Sequence, residues 1–329
     1  MTRTAESTAA VPLEHGRLEH FPVSLFSTVM GTAGLAIAWK KAHVVLGLPA
    51  VIWQGLAIAA SALFVFLAAV YALKVLRHPR AVAAERAHPV RVNFFPTISI
   101  GILLLSIVWS ESHPAIAAGM WAAGATLHLA FTLMAMSSWI HHTHYDIKHA
   151  NPAWFIPVVG NIIVPVVGVR FAPAEVSWFF FSIGLVFWVV LLTIVMYRLF
   201  FHEPMPARLT PTHFILLAPP SVGFVAYTAL TGQLDGFARV LYYTALFLTL
   251  LLASNVRRFL RGPFFISAWA YSFPLAAMTI ASLVMYSRTQ LAFFSGVAVV
   301  LLAVLSAIVG WLVAMTAGAA SKRGICVPE

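Results

Sequence analysis

The chain has 329 residues, 61% of them hydrophobic and only 9% charged, where a soluble domain carries roughly 25% charged residues. That inventory cannot clothe a water-facing surface, which excludes a soluble enzyme or binding domain. The formal net charge of +10 would suit a nucleic-acid ligand, but the basic residues are distributed as a membrane topology signal, and no nucleic-acid partner is expected.

Residues 1–20 are polar and mixed in charge, with Glu6, Glu14, Arg17 and Glu19. They lack the basic-then-apolar pattern of a cleaved signal and read as a cytoplasmic tail. Apolar runs of about 20 residues follow, each long enough to cross a hydrocarbon core about 30 Å thick. The predicted spans are 21–39, 46–73, 92–110, 115–138, 154–171, 175–199, 212–230, 237–256, 264–286 and 291–317. Backbone groups in lipid need internal partners, so the spans must be helices. The short alternating segments of a β-barrel do not occur.

Connections after the odd spans are tight: "KKAHVV", "ESHP", "APA", "TGQLDG" and "SRTQ". Those after even spans are generally longer and more polar, such as "LKVLRHPRAVAAERAHPVR". The chain therefore reads as five helical hairpins forming one membrane domain over 21–317, with a C-terminal tail over 318–329. Fifteen Lys and Arg fall on the side holding both termini, among them Lys74, Arg77, Arg80, Arg86, Arg91, Arg257, Arg258 and Arg261. The other side holds five: Lys40, Lys41, Arg170, Arg239 and Arg288. Positive loops stay inside, which predicts an inner-membrane protein with both termini cytoplasmic.

Every odd span carries proline: Pro22, Pro96, Pro157 with Pro165, Pro219 with Pro220, and Pro274. The even spans have none in their interiors. Broken helices are tolerated at membrane depth where neighbours or a water-filled cavity satisfy the freed carbonyls. Five kinked helices alternating with five uninterrupted ones predict an inner pore ring of odd helices inside an outer ring of even ones. Proline is also common in membrane helices generally, and the five sets do not share one apparent depth, so a plain bundle stays open on pattern alone.

No Asp, Glu, Lys or Arg sits mid-span, which argues against a proton relay or cation pathway. A pore lined by small neutral residues would select by dehydration cost and by weakly positive helix ends. Thr97, Asn161 and Ser221 are the polar pore-lining candidates; for Asn161 an interhelical hydrogen bond is the competing role, and for His128 it is the expected one. "WIHHTHYDIKHANP" gathers His141, His142, His144, His149 and Asp146; a solvated or headgroup-facing loop suits it better than a metal site, and no metal is expected. The single cysteine, Cys326, allows no intrachain disulfide. No cofactor is implied. Phe273 stands before Pro274 among Ala and Ser, so its ring has space that its neighbours leave unfilled. Packing is the ordinary role for one of 25 phenylalanines, but a rotatable ring in a narrow apolar lumen can block ions.

"HPVRVNFF", "NPAWFIPVVGN", "LAPPSV" and "AWAYSFP", in order on the third, fifth, seventh and ninth spans, resemble the tellurite-resistance/dicarboxylate transporter family. That family includes plant slow anion channels and bacterial tellurite-resistance proteins. The resemblance covers roughly residues 20–317. It implies ten helices in five hairpins, a central pore lined by odd helices, homotrimers with one pore per subunit, and a phenylalanine gate that maps onto Phe273. The leading expectation is an anion channel passing small inorganic or organic anions. The alternative is a secondary transporter of C4-dicarboxylate (malate), sulfite or a related oxyanion. A membrane enzyme would need a cofactor-ligand pair or a nucleophile–base set, and an isolated His128 supplies neither.

Overall fold

The computed structural model describes residues 16–141, 145–259, 263–322 and 324–326. Glu6, Glu14, His142, His144 and Arg261 lie outside the described residues. Among the described residues every regular element is a helix. Nine are long and apolar enough to cross a membrane: Val23–Leu46, Ala50–Arg77, Arg91–Trp109, Pro114–His141, Ala174–Phe201, Ala207–Thr231, Gly236–Ser254, Ile266–Thr289 and Ala292–Ser321. The predicted fifth span is a shorter apolar run, Pro152–Gly168. Parts of it, Pro152–Trp154 and Gly160–Ile163, wind as 3-10 helix. With rises of about 2.0 Å per residue there and about 1.5 Å elsewhere, the run reaches roughly 29 Å, enough for the hydrocarbon core. In chain order these are the first to tenth spans.

Several boundaries differ from the sequence expectation. "KKAHVV" is helical; the first span continues to Leu46 and stops at Gly47, whose φ of 73° glycine adopts without steric cost. Its lysines stay compatible with an apolar helix because they reach for polar partners at its end. "SRTQ" is also mostly helix, with the turn falling at Gln290. The second span runs on to Arg77, so Lys74 is a helical residue rather than a loop cation, and a short helix over Pro79–Ala87 follows. The tenth span extends to Ser321.

Burial sorts the spans into two sets. Within an apolar stretch of 18 residues in each, between 67 and 83% of the first, third, seventh and ninth is buried, against 22 to 33% of the second, fourth, sixth, eighth and tenth. Among the large exposed hydrophobic side chains that lie on spans, Val44 is the one on an odd span. Val65, Leu133, Phe200, Phe247 and Val300 typify the rest. Such a surface is stable against lipid or another apolar protein surface. The odd spans touch one another in the order one, three, five, seven, nine and back to one.

Close approach within the odd set depends on small residues. A Cβ on Gly34 would lie 3.0 Å from Ala276 Cβ, and one on Gly31 would collide with Ser272 Oγ. Gly31 and Gly34 thus let the first span lie directly against the ninth, as small residues do between membrane helices.

The prolines do not kink the middle of α-helices. Pro96 and Pro165 are the first residues of α segments, Pro219 and Pro220 fall in the first turn of Ala218–Thr231, and Pro274 in that of Ser272–Thr289. Pro22 caps the 3-10 turn Val23–Leu25, and Pro157 lies in the short segment Phe155–Val159. A missing N–H costs least in a first turn, where no helical acceptor awaits it. Each odd span thus begins as 3-10 helix and passes into α-helix. By contrast, the even spans are unbroken α-helix from end to end.

Candidate functional site

A cavity of about 810 Å³ opens at the end of the molecule that carries Glu19 and Cys326 and reaches inward to Phe273. Its membrane-level wall comes from the odd spans, for example Met30, Ile100, Val159, Pro219 and Phe273. No charged side chain stands on that part of the wall; charge is confined to the mouth, at Glu19, Lys74, Glu85, Arg91 and Arg208. A second, smaller cavity lies at the opposite end of the same five spans.

The 3-10 starts expose carbonyls, and side chains three residues further on take them up. Ser27 donates to Ser24 O, Thr97 to Phe94 O, Thr212 to Leu209 O and Ser272 to Trp269 O, each at 2.6 Å. In the fifth span Asn161 Nδ2 does the same for Val158 O at 2.7 Å. This local back-bonding by short polar side chains satisfies backbone groups that a regular helix would pair for itself. The fourth span supplies more: Thr132 Oγ1 lies 2.7 Å from Pro157 O, and Trp121 Nε1 donates to Val164 O at 2.9 Å. The fifth span, with three prolines, is therefore repaired from its neighbour.

Thr97, Pro22, Pro219, Pro274 and Phe273 line the large cavity. Pro96, Pro157, Pro165 and Pro220 do not. Asn161 and Ser221 also stand off it. Asn161 is fully buried and donates to Thr132 Oγ1 at 2.9 Å, and Ser221 donates to Leu217 O at 2.8 Å. Sequence alone left two roles for Asn161; the geometry gives it the interhelical one. His128 is buried behind the wall, its Nδ1 2.9 Å from Ser99 Oγ. Ser99 Oγ also lies 2.8 Å from Pro96 O, and His128 Nε2 has no hydrogen-bond partner among the described residues. A Cβ on Gly160 would sit 2.6 Å from that ring, so only glycine lets the cavity wall pass in front of it.

Phe273 is half-buried, its ring against Gly34 on one side and the cavity on the other. Tyr271, two residues earlier, turns away: it stacks edge-on with Phe214 at 4.8 Å and is absent from the cavity wall. Trp269, one turn earlier, lines the cavity together with the Phe273 ring.

Sequence reading missed the clasp at the mouth. Glu85, on the short helix, accepts from Val23 N at 2.8 Å, Tyr71 OH at 3.0 Å and Lys74 Nζ at 2.9 Å. Lys74 Nζ also donates to Phe21 O at 2.7 Å, and both charged side chains are about 95% buried. One carboxylate thereby caps the start of the first span and ties it to the second. A Lys and a Glu eleven residues apart across a polar segment give no periodic signal that could have announced this.

In the histidine-rich loop, Asp146 and His149 form a reciprocal cap, and Lys148 pairs with Asp146 at 3.0 Å. Lys148 holds the Asp146 carboxyl below the usual carboxylate range. Among the described residues no group of three metal-ligating side chains comes together.

Among the described residues, nine long apolar helices and one shorter apolar run, with cavities at both ends of the odd five, are the build of a membrane transport protein. The chain belongs to the family described as SLAC1, voltage-dependent anion channel, which matches residues 20–317. It is 31% identical over 278 residues to the S-type anion channel SLAH3 of Arabidopsis thaliana, a match covering 81% of this chain and 43% of that protein. It is 26% identical to an uncharacterised transporter of Methanocaldococcus jannaschii, covering 82% of this chain and 86% of the relative. A tellurite resistance protein TehA homolog of Haemophilus influenzae is 25% identical over 90% of this chain and 89% of its own length. The chain spans about half the length of the first plant channels it matches, 43 to 53%.

Proposed function

We propose that the chain is an anion channel whose path follows the axis enclosed by the five odd spans, with Phe273 as its gate. The observation that carries this reading is the membrane-level wall of the large cavity, which is neutral and odd-span throughout and ends on a half-buried aromatic ring. A neutral, narrow, apolar lumen excludes ions by dewetting until the obstructing ring moves. Small anions are the permeant class, because no carboxylate stands on the membrane-level wall to hold a cation and basic residues outnumber carboxylates at either mouth. Thr97 is part of the wall, its hydroxyl taken up by Phe94 O, and Pro22, Pro219 and Pro274 shape it by setting where 3-10 helix becomes α-helix.

The same reading places both termini on the cytoplasmic side, supported by the fifteen-to-five division of Lys and Arg. It takes 21–317 as one membrane domain, and makes the even spans the lipid-facing and subunit-facing surface of a homotrimer with one path per subunit. No reaction is assigned to the protein. A transporter coupled to protons would need an ionisable relay within the spans; among the described residues no carboxylate lies in a span interior, and Glu175 sits in a first turn.

The test is flux in proteoliposomes for chloride, nitrate, sulfite and malate, with and without a proton gradient. Flux should follow each anion's own electrochemical gradient. Uphill accumulation of malate or sulfite driven by pH alone would replace the channel with the coupled transporter.

A further inference from the structure

The second cavity, about 310 Å³, lies at the C-terminal ends of the odd spans, opposite the large cavity. All its lining residues belong to odd spans or to the two residues that follow them. Four cations border it, Lys40, Lys41, Arg170 and Arg288, with one carboxylate, Glu111. Of the five basic residues assigned to this side from sequence, Arg239 is the one that stands off the cavity.

The charges are unequally compensated. Glu111 is taken up by Lys40 at 3.2 Å and lies 4.0 Å from Arg170. Lys40 is also satisfied by Val108 O at 2.9 Å. Arg288 donates to Gly232 O at 3.1 Å, a neutral acceptor that leaves its charge unbalanced. Among the described residues neither Lys41 nor Arg288 makes an ion pair, and the two lie within electrostatic reach of each other. Concave sites of one sign with low-dielectric walls focus the field and raise the local concentration of counter-ions. Glu111 offsets the repulsion of Lys41 by Arg288 only in part, and an anion between the two cations removes that cost.

We infer that this cavity is a binding site for a small anion, held by Lys41 and Arg288, with Glu111 setting its strength by neutralising Lys40 and in part Arg170. Its place on a conduction path rests on the function proposed above; its affinity for anions does not. The field of exposed charges fades over about 8 Å at physiological salt, so the site acts on anions already at the mouth. Charge is its criterion, and a doubly charged oxyanion should hold better than a halide.

The experiment places a cysteine at Ser287, an exposed residue of the cavity rim, in a Cys326→Ser background. The purified protein in lipid nanodiscs is treated with an anionic and a cationic methanethiosulfonate of similar size. Each rate is divided by the rate of the same reagent with a free thiol. The anionic reagent should be favoured by about tenfold at low salt, the size expected from two unit charges a few ångströms away. Arg288→Gln should lower the ratio, Lys41→Gln with Arg288→Gln should bring it close to one, and Arg288→Lys should retain it. Glu111→Gln should raise it, and sulfate should protect at lower concentration than chloride. A ratio near one in the starting protein, or no change in the double variant, overturns the site. Labelling requires no conduction, so a strong ratio in a protein without anion flux would reject the proposed channel and leave this site in place.

Discussion

A methyl group built on Gly34 would lie 3.4 Å from Cδ2 of Phe273, so the ring of the ninth span rests directly on the backbone of the first. The same methyl would lie 3.0 Å from Ala276 Cβ, tighter than ordinary contact. Gly34→Ala should therefore push the two spans apart by a few tenths of an ångström and destabilise the protein by about 1–3 kcal/mol, as overpacking does. Ala276→Gly should recover part of that loss, and thermal unfolding in detergent reads both changes. Additive effects of the two substitutions would mean that the contact does not limit how closely the spans approach.

At the mouth, Lys74→Met should be strongly destabilising, by about 3–5 kcal/mol, because it leaves the buried Glu85 carboxylate without its cation. Combining it with Glu85→Gln should restore most of the loss, since the amide oxygen can still accept from Val23 N or Tyr71 OH. Thermal denaturation of the single and double variants measures the coupling. Equal stability of Lys74→Met and the parent would show that the clasp contributes nothing.

Thr132 tests the repair of the fifth span. Thr132→Val keeps the shape and removes the hydroxyl that serves Pro157 O and Asn161 Nδ2. Leaving such groups unpaired costs about 1–3 kcal/mol, and amide exchange should rise around residues 157–164. Thr132→Ser should behave as the parent. An unchanged exchange pattern in Thr132→Val would contradict the repair.

Accessibility separates the lumen from the packing behind it. In a Cys326→Ser background with Phe273→Ala, a cysteine at Thr97 should react with a small charged thiol reagent, and cysteines at Asn161 and Ser221 should not. Equal reaction at all three positions would contradict the wall traced by the large cavity.

The spans were legible because an apolar run about 20 residues long has few other uses, and the prolines announced which of them are broken. The ends were less legible. Lys40 and Lys41 look like a loop, yet long cationic side chains can lie along an apolar helix and reach its end. Asn161 and Ser221 read as lumen-facing because a polar residue at mid-span suggests water. The bond each makes, to Thr132 in one case and to its own helix in the other, depends on contacts that composition does not encode. In the fifth span the 3-10 segment Gly160–Ile163 also turns with 3.0 residues rather than 3.6, so a face traced at α-helical period drifts off the cavity. The place of Phe273 on a cavity wall was legible through its small neighbours, whereas the Lys74–Glu85 clasp left no pattern at all.

The central claim is that the Phe273 ring closes the path, and single-channel or macroscopic current in planar bilayers at matched protein density tests it most directly. Tyr271→Ala is the control, since that side chain packs on Phe214 rather than into the lumen. Phe273→Leu, which keeps bulk without the flat ring, should fall between parent and alanine. If holding the ring across the lumen biases the closed state by about 3 kcal/mol, its removal shifts the population roughly a hundredfold. Phe273→Ala should accordingly raise anion current by a large factor in a protein that remains folded, while Tyr271→Ala does not. Equal current in Phe273→Ala and the parent would contradict the account.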